Sequence, residues 1–141
     1  MTQLTALAYF SSATREFTEM ELEALLKDAR EQNTRGELTG VLLYHEGTFF
    51  QYIEGPQSAL EAAYQRIKNS RKHHSIIELF QHSISRREFT GWRMGFSRAP
   101  RSLILQLSNS EWNTLASSGT DSIHEAPGMA LLLEFWKSST R

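Results

Sequence analysis

Tyr9 and Gln51 are the side chains whose type and placement first suggest chemistry. In Thr48 to Glu54 (TFFQYIE), period-two alternation puts Phe49, Gln51 and Ile53 on one face and Phe50, Tyr52 and Glu54 on the other. If the Phe49/Ile53 face meets helices, Gln51 is an amide set in an apolar wall. A buried amide without partners is costly, so it must find some. Tyr9 lies in Leu4 to Ser11 (LTALAYFS), on one face with Thr5 and Leu7. A phenol there ordinarily packs and gives its O–H to one acceptor. Should the two strands be neighbours, Tyr9 and Gln51 can hydrogen-bond. Against a ligand, such a pair can relay an electron and a proton.

Asn33 precedes Thr34-Arg35-Gly36 at the expected end of a helix. Asparagine commonly ends helices, and its amide also matches the donor and acceptor edge of a heterocycle. Arg66, Lys68, Arg71 and Lys72 crowd the end of a second helix, with His73-His74 just after. Cations there complement the helix dipole; they could equally dock a phosphate or pyrophosphate. Adjacent histidines diverge, and neither cysteine nor a placed carboxylate completes a site, so no metal is expected. Trp92 and Met94 lie two apart and could face the same way, as core or as part of a site. Arg86-Arg87-Glu88 reads as a surface charge cluster.

The elements that must position these residues follow from periodicity. Leu4 to Ser11 reads as a strand. Thr18-Glu19-Met20-Glu21 has capping-box spacing, and Leu22, Leu25, Leu26 and Ala29 follow at helical spacing, to about Gln32 or Asn33. Leu38 to Tyr44 and Thr48 to Glu54 form a hairpin around His45-Glu46-Gly47. A second helix carries Leu60, Ala63, Tyr64 and Ile67. Ile76 to Ile84 is a fourth strand, Arg87 to Gly91 a short helical turn, and Met94 to Ser97 a fifth strand. The order β-α-β-β-α-β-β predicts an α/β (α+β) ferredoxin-like sheet with one extra strand and both helices on one face. After Pro100, three short helices are predicted at Ser102 to Leu107, Glu111 to Ala116 and Met129 to Lys137. Their apolar stripe, with Leu132, Leu133 and Trp136, should pack on the other face of the sheet or on another subunit.

Composition narrows the function. The chain has 141 residues, 40% hydrophobic and 22% charged, enough for a real core and unlike a disordered tail. Fifteen Lys+Arg against sixteen Asp+Glu give a net charge of −1, which argues against nucleic-acid binding. With no cysteines, disulfides, thiol nucleophiles and zinc–thiolate sites are excluded. No run approaches the ~20 apolar residues of a membrane span. The first residues lack the features of a signal peptide, so a cytoplasmic protein is expected. Gly-rich nucleotide fingerprints, phosphate loops, nucleophile elbows and helix-borne zinc motifs are absent.

Several motifs occur together, in one order. They are Leu7 to Ser12 (LAYFSS), Asn33, Leu38 to Tyr44 (LTGVLLY), Gly47 to Gly55 (GTFFQYIEG), Arg71-Lys72-His73, and Arg86 to Met94 (RREFTGWRM). This set resembles a BLUF domain, the flavin-dependent blue-light sensor, over about Leu4 to Ala99. The Gln51 run is the most specific. The resemblance implies FAD between the two helices, its ring edge toward Tyr9 and Gln51. It implies that Tyr9 donates an electron and proton to photoexcited flavin and that Gln51 then changes its hydrogen bonds by rotation or tautomerisation. Asn33 is expected to hold the ring's polar edge, with Leu25, Phe49 and Ile67 lining the ring pocket. Arg66, Lys72 and His73 would grip the ribityl-phosphate part, and Trp92 and Met94 form the switch segment. The chain departs from the usual pattern at Phe10, Gln32 and Ser70.

The expectation is a short photoreceptor and not an enzyme. Residues 1–98 would sense light and residues 99–141 form a helical cap. Output would pass through the last strand and those helices to a partner protein or to changed homo-oligomerisation. Two rival readings are a flavin-dependent oxidoreductase and a colourless ferredoxin-like ligand-binding or interaction module.

Overall fold

The computed structural model describes residues 4–13, 17–70, 73–110, 112 and 126–139. A capping box opens the first helix, α1 (Glu19–Gly36). The Glu21 N–H donates to the Thr18 hydroxyl (3.2 Å), and the Thr18 N–H donates back to the Glu21 carboxylate (3.0 Å). The helix runs past Asn33 to a left-handed stop at Glu37 (φ 57°), whose N–H returns to the carbonyls of Asn33 and Thr34. Removing the cap by Thr18→Ala should cost about 1 kcal/mol, read as a lower urea midpoint with unchanged slope.

The strands are β1 (Leu4–Ala13), β2 (Thr39–His45), β3 (Thr48–Pro56), β4 (His73–Ile84) and β5 (Gly95–Arg98). Helix α2 (Gln57–Lys68) follows β3, and α3 (Arg101–Asn109) and α4 (Pro127–Ser139) follow β5. The sheet order is β4-β1-β3-β2-β5. All neighbours are antiparallel except β2 and β5, which run parallel. This is the ferredoxin-like arrangement, with β5 added at the β2 edge. The β2–β3 turn is tighter than the sequence suggested, because His45 pairs with Thr48. Glu46 (φ 40°) and Gly47 (φ 87°) both take positive φ, as a two-residue hairpin turn requires.

Each face of the sheet carries its own core. Against α1 and α2 lie Leu7, Tyr9, Ile53, Leu60, Ala63 and Tyr64, and beside them Leu22, Leu26, Leu42, Tyr44, Phe49 and Met94. On the opposite face Ala6, Ala8, Val41, Leu43, Phe50, Tyr52 and Phe80 meet Leu103, Ile104, Leu107, Trp112, Met129, Leu132 and Trp136. The C-terminal helices therefore cover the second face, as the stripe of Leu132 and Trp136 demanded. The expected helix over 111–116 lies outside the described residues except for Trp112. Residues 87–91 form bends and a turn, not a helical turn. They belong to a segment, 85–94, that crosses from one sheet edge to the other, since β4 and β5 are the two edge strands. Among the described residues no helix is long and apolar enough to cross a membrane, and none group as three or more potential metal ligands.

Candidate functional site

The β1–β3 register sets Tyr9 directly opposite Gln51. Both side chains point to the helix-covered face and both are buried. The Tyr9 hydroxyl donates to the Gln51 carboxamide oxygen Oε1. On its other side, Gln51 Nε2 donates to Met94 Sδ (3.5 Å). Burial pushes the Tyr9 phenol well above its ordinary pKa, and Tyr64, whose ring centroid is 6.0 Å away, adds to that. Tyr9 is therefore a neutral O–H at any working pH, with a proton to give along the bond to Gln51.

These residues close one end of a cleft of about 210 Å³ between α1 and α2. Its walls are apolar: Phe17, Leu25, Ala29, Leu42, Phe49, Ile53, Ala63 and Ile67. Asp28, Gln32, Asn33, Arg66 and Ser70 add polar groups. Asn33 is buried, and its Nδ2 donates to the Arg93 carbonyl; Arg30 Nε donates to the Met94 carbonyl (3.0 Å). The second half of α1 thus holds the chain just before β5.

Of the residues expected to form the site, Tyr9, Leu25, Asn33, Phe49, Gln51, Arg66 and Ile67 line this one cleft. Met94 is not among the lining residues but packs with Leu42 and Phe49, which are, and accepts from Gln51. Trp92 does not share its direction. Met94 is 2% exposed, whereas Trp92 is 42% exposed and meets Trp136 edge-on at 5.3 Å. Residues 92–94 precede β5 and are not extended strand, so two-apart spacing does not put them on one face. Lys72 lies outside the described residues. His73 begins β4, and its side chain is likewise outside the description.

Sequence reasoning missed Ala29, Gln32 and Asp28 as lining residues. Ala29 follows Leu25, and Gln32 follows Asp28, at helical i+4 spacing, which is the signal that could have found them. It also misread Arg87 as part of a surface cluster. Arg87 Nη1 donates to Thr39 Oγ1 (2.9 Å) and to the Glu54 carbonyl (3.2 Å), and Nη2 donates to the Glu37 carbonyl (2.7 Å). Of that run, Arg86 is exposed and its guanidinium lies 3.6 Å from the largely buried Glu88 carboxylate.

A family model described as "BLUF: Sensors of blue-light using FAD" matches residues 4–95. The chain belongs to the BLUF family. It is 34% identical over 86 residues to photoactivated adenylate cyclase subunit beta of Euglena longa, a match covering 61% of this chain and 10% of that protein. It is 32% identical over 76 residues to the blue light- and temperature-regulated antirepressor BluF of Escherichia coli, covering 54% of this chain and 19% of the relative. The chain thus spans a small part of these relatives. The dark-state structure of BlrB, a BLUF protein, aligns with a TM-score of 0.70 and 26% identity over 95% of this chain and 98% of that one.

BLUF domains are blue-light sensors that bind a flavin, and the cleft fits one. The apolar faces of two amphipathic helices, with Leu25 and Ala29 on one and Ala63 and Ile67 on the other, offer a planar ring apolar walls. The carboxamides of Asn33 and Gln51 can both give and take hydrogen bonds, as the alternating carbonyls and ring nitrogens of a flavin edge require.

Proposed function

We propose that the chain is a blue-light photoreceptor whose cleft holds FAD, with Tyr9 as electron and proton donor and Gln51 as the hydrogen-bond switch. The observation that carries this is the buried relay from Tyr9 O–H to Gln51 Oε1 and from Gln51 Nε2 to Met94 Sδ. A bound flavin supplies blue-light absorption and an excited state that accepts an electron. Tyr9 is positioned to give that electron while its proton leaves along the bond to Gln51. Gln51 then faces a partner that has lost its donor, and its oxygen and amide group would exchange places by rotation or tautomerisation, after which the electron and proton return to Tyr9 and the ring is left oxidised, as a red shift without bleaching requires. A thioether is a weak acceptor, so little opposes the release of Nε2 from Met94. Leu25, Phe49 and Ile67 confine the ring, Asn33 meets its polar edge, and Arg66 and Ser70 serve the ribityl-phosphate part. A cleft of this size suits the ring system, with the rest of FAD leaving through the mouth.

The signal leaves by a short path. Met94 is the residue before β5, and Trp92 and Gly95 both meet Trp136 of α4. A Cβ on Gly95 would come within 2.4 Å of the Trp136 ring, so the indole sits directly on the β5 backbone. We read residues 1–98 as the light-sensing unit and 99–141 as the cap that passes the change to a protein partner or to a second copy of the chain. In this reading the chain is a sensor and performs no catalysis of its own.

The test is a visible absorption spectrum of the purified protein in the dark and after blue light. A flavin spectrum that shifts slightly to the red and returns in the dark is expected. Gln51→Leu should keep the flavin and lose that shift. A flavin that bleaches would instead support the oxidoreductase, and protein that takes up no added FAD would support the colourless module. Chromatography of the released flavin decides FAD against FMN.

A further inference from the structure

Glu54 is a buried carboxylate on the face of β3 away from the cleft. Four donors converge on its two oxygens. Oε1 accepts from the Tyr52 hydroxyl (3.0 Å) and the Glu88 N–H (2.8 Å). Oε2 accepts from the Thr39 hydroxyl (3.1 Å) and the Phe89 N–H (2.6 Å). An ionised carboxylate, acceptor-only, satisfies such a set best. Burial pushes the Glu54 carboxyl up from the usual range, and the bonds from Glu88 and Phe89 pull it the other way.

The position of Glu54 matters more than its burial. Segment 85–94 must travel from β4 to β5, across the ends of β1, β3 and β2. Glu54 catches it at β3, the middle strand. The next fixed points are the Gly40 N–H, which donates to the Trp92 carbonyl (2.9 Å), and Asn33 and Arg30, which hold the carbonyls of Arg93 and Met94. Between Phe89 and Trp92, the Trp92 N–H donates to the Phe89 carbonyl (3.1 Å), and the rings of both residues meet Trp136. Arg87 ties the segment to β2 and β3 just before this point, and the carboxylate holds the two N–H groups from which the crossing begins its descent to Met94.

We propose that Glu54 is a positioning residue for the Gln51 switch: by holding the Glu88 and Phe89 N–H groups from the far face of the sheet, it sets the register of residues 89–94 that brings Met94 Sδ onto Gln51. The proposal rests on the switch reading above, but its test needs no light. A glutamine at position 54 has one acceptor oxygen, so whichever way it turns, the N–H of Glu88 or of Phe89 faces an NH₂ group and is expelled.

The measurement is methyl NMR of the flavin-loaded protein in the dark, with labelled methionine. Met20, 80% exposed, marks the solvent position, and Met129, fully buried in the other core, marks the buried one. In Glu54→Gln the Met94 methyl signal should move toward that of Met20 or split. In Tyr52→Phe, which removes a donor to the same carboxylate but leaves both backbone N–H groups held, Met94 should stay in place. An unmoved Met94 signal in Glu54→Gln would overturn the proposal. So would an equal movement in Tyr52→Phe, which would make Met94 a reporter of general packing. Should Glu54→Gln fail to fold, Glu54→Asp decides: its shorter carboxylate keeps both acceptor oxygens but draws the two N–H groups to a new place, so Met94 is expected to move, and an unmoved signal overturns the proposal. Failure of the switch reading shows separately, as a wild-type protein without a reversible red shift.

Discussion

Tyr9→Phe keeps the fold and the bound flavin but loses the reversible red shift. The phenylalanine ring fills the same space beside Tyr64 and Ile53, so packing is retained. What is removed is the O–H that donates to Gln51 and the phenol that is oxidised. Leaving the Gln51 oxygen short of a donor costs about 1–3 kcal/mol, which a domain of this size survives. The light response should fall by on the order of 10²-fold or more, the scale on which a positioned proton-transfer group acts. Tyr64 does not stand in, because its phenol is hydrogen-bonded to Glu78 and it is not among the residues that line the cleft. The check is a light-minus-dark difference spectrum after a blue pulse. A normal shift in this variant would remove Tyr9 from the mechanism while leaving the family assignment intact.

Trp136→Ala is the variant with the largest expected loss of stability. The indole is buried, meets Phe89 and Trp92 edge-on at 6.2 Å and 5.3 Å, and rests on Gly95. Truncation leaves a cavity that these ring edges cannot fill, at a cost of about 3–5 kcal/mol. Urea unfolding should show a much lower midpoint, while the flavin spectrum of the folded protein persists, because the cleft uses none of these contacts. A midpoint equal to that of the wild type would mean that α4 does not dock on β5 in solution.

The parts of this molecule that could be read from sequence are those governed by a period. Alternation grouped Tyr9 with Leu7 and Gln51 with Phe49 and Ile53, and it is the ferredoxin-like strand order, not the β2–β3 hairpin, that makes their strands β1 and β3 neighbours. Capping-box spacing located the start of α1. Its end was misjudged because Asn33 is used for its side chain, which binds Arg93, while the left-handed stop falls on Glu37. The crossing segment has no period, so the divergence of Trp92 from Met94 was not legible. Nor was the role of Glu54, whose captured N–H groups lie 34 and 35 residues further along the chain. A carboxylate on the core face with Phe50 and Tyr52 was the available clue, since such a group must find donors.

The seat of Trp136 on Gly95 has a consequence beyond stability. One residue separates the Met94 that touches Gln51 from the helix that a partner would grip. Coupling between two such sites is reciprocal. If the two arrangements of Gln51 differ tenfold in how well α4 accepts a partner, the bound partner shifts the balance between those arrangements by the same tenfold, about 1.4 kcal/mol. The occupant of α4 would then be an effector of the photoreceptor as well as its target, and the population of the lit state would report who is bound.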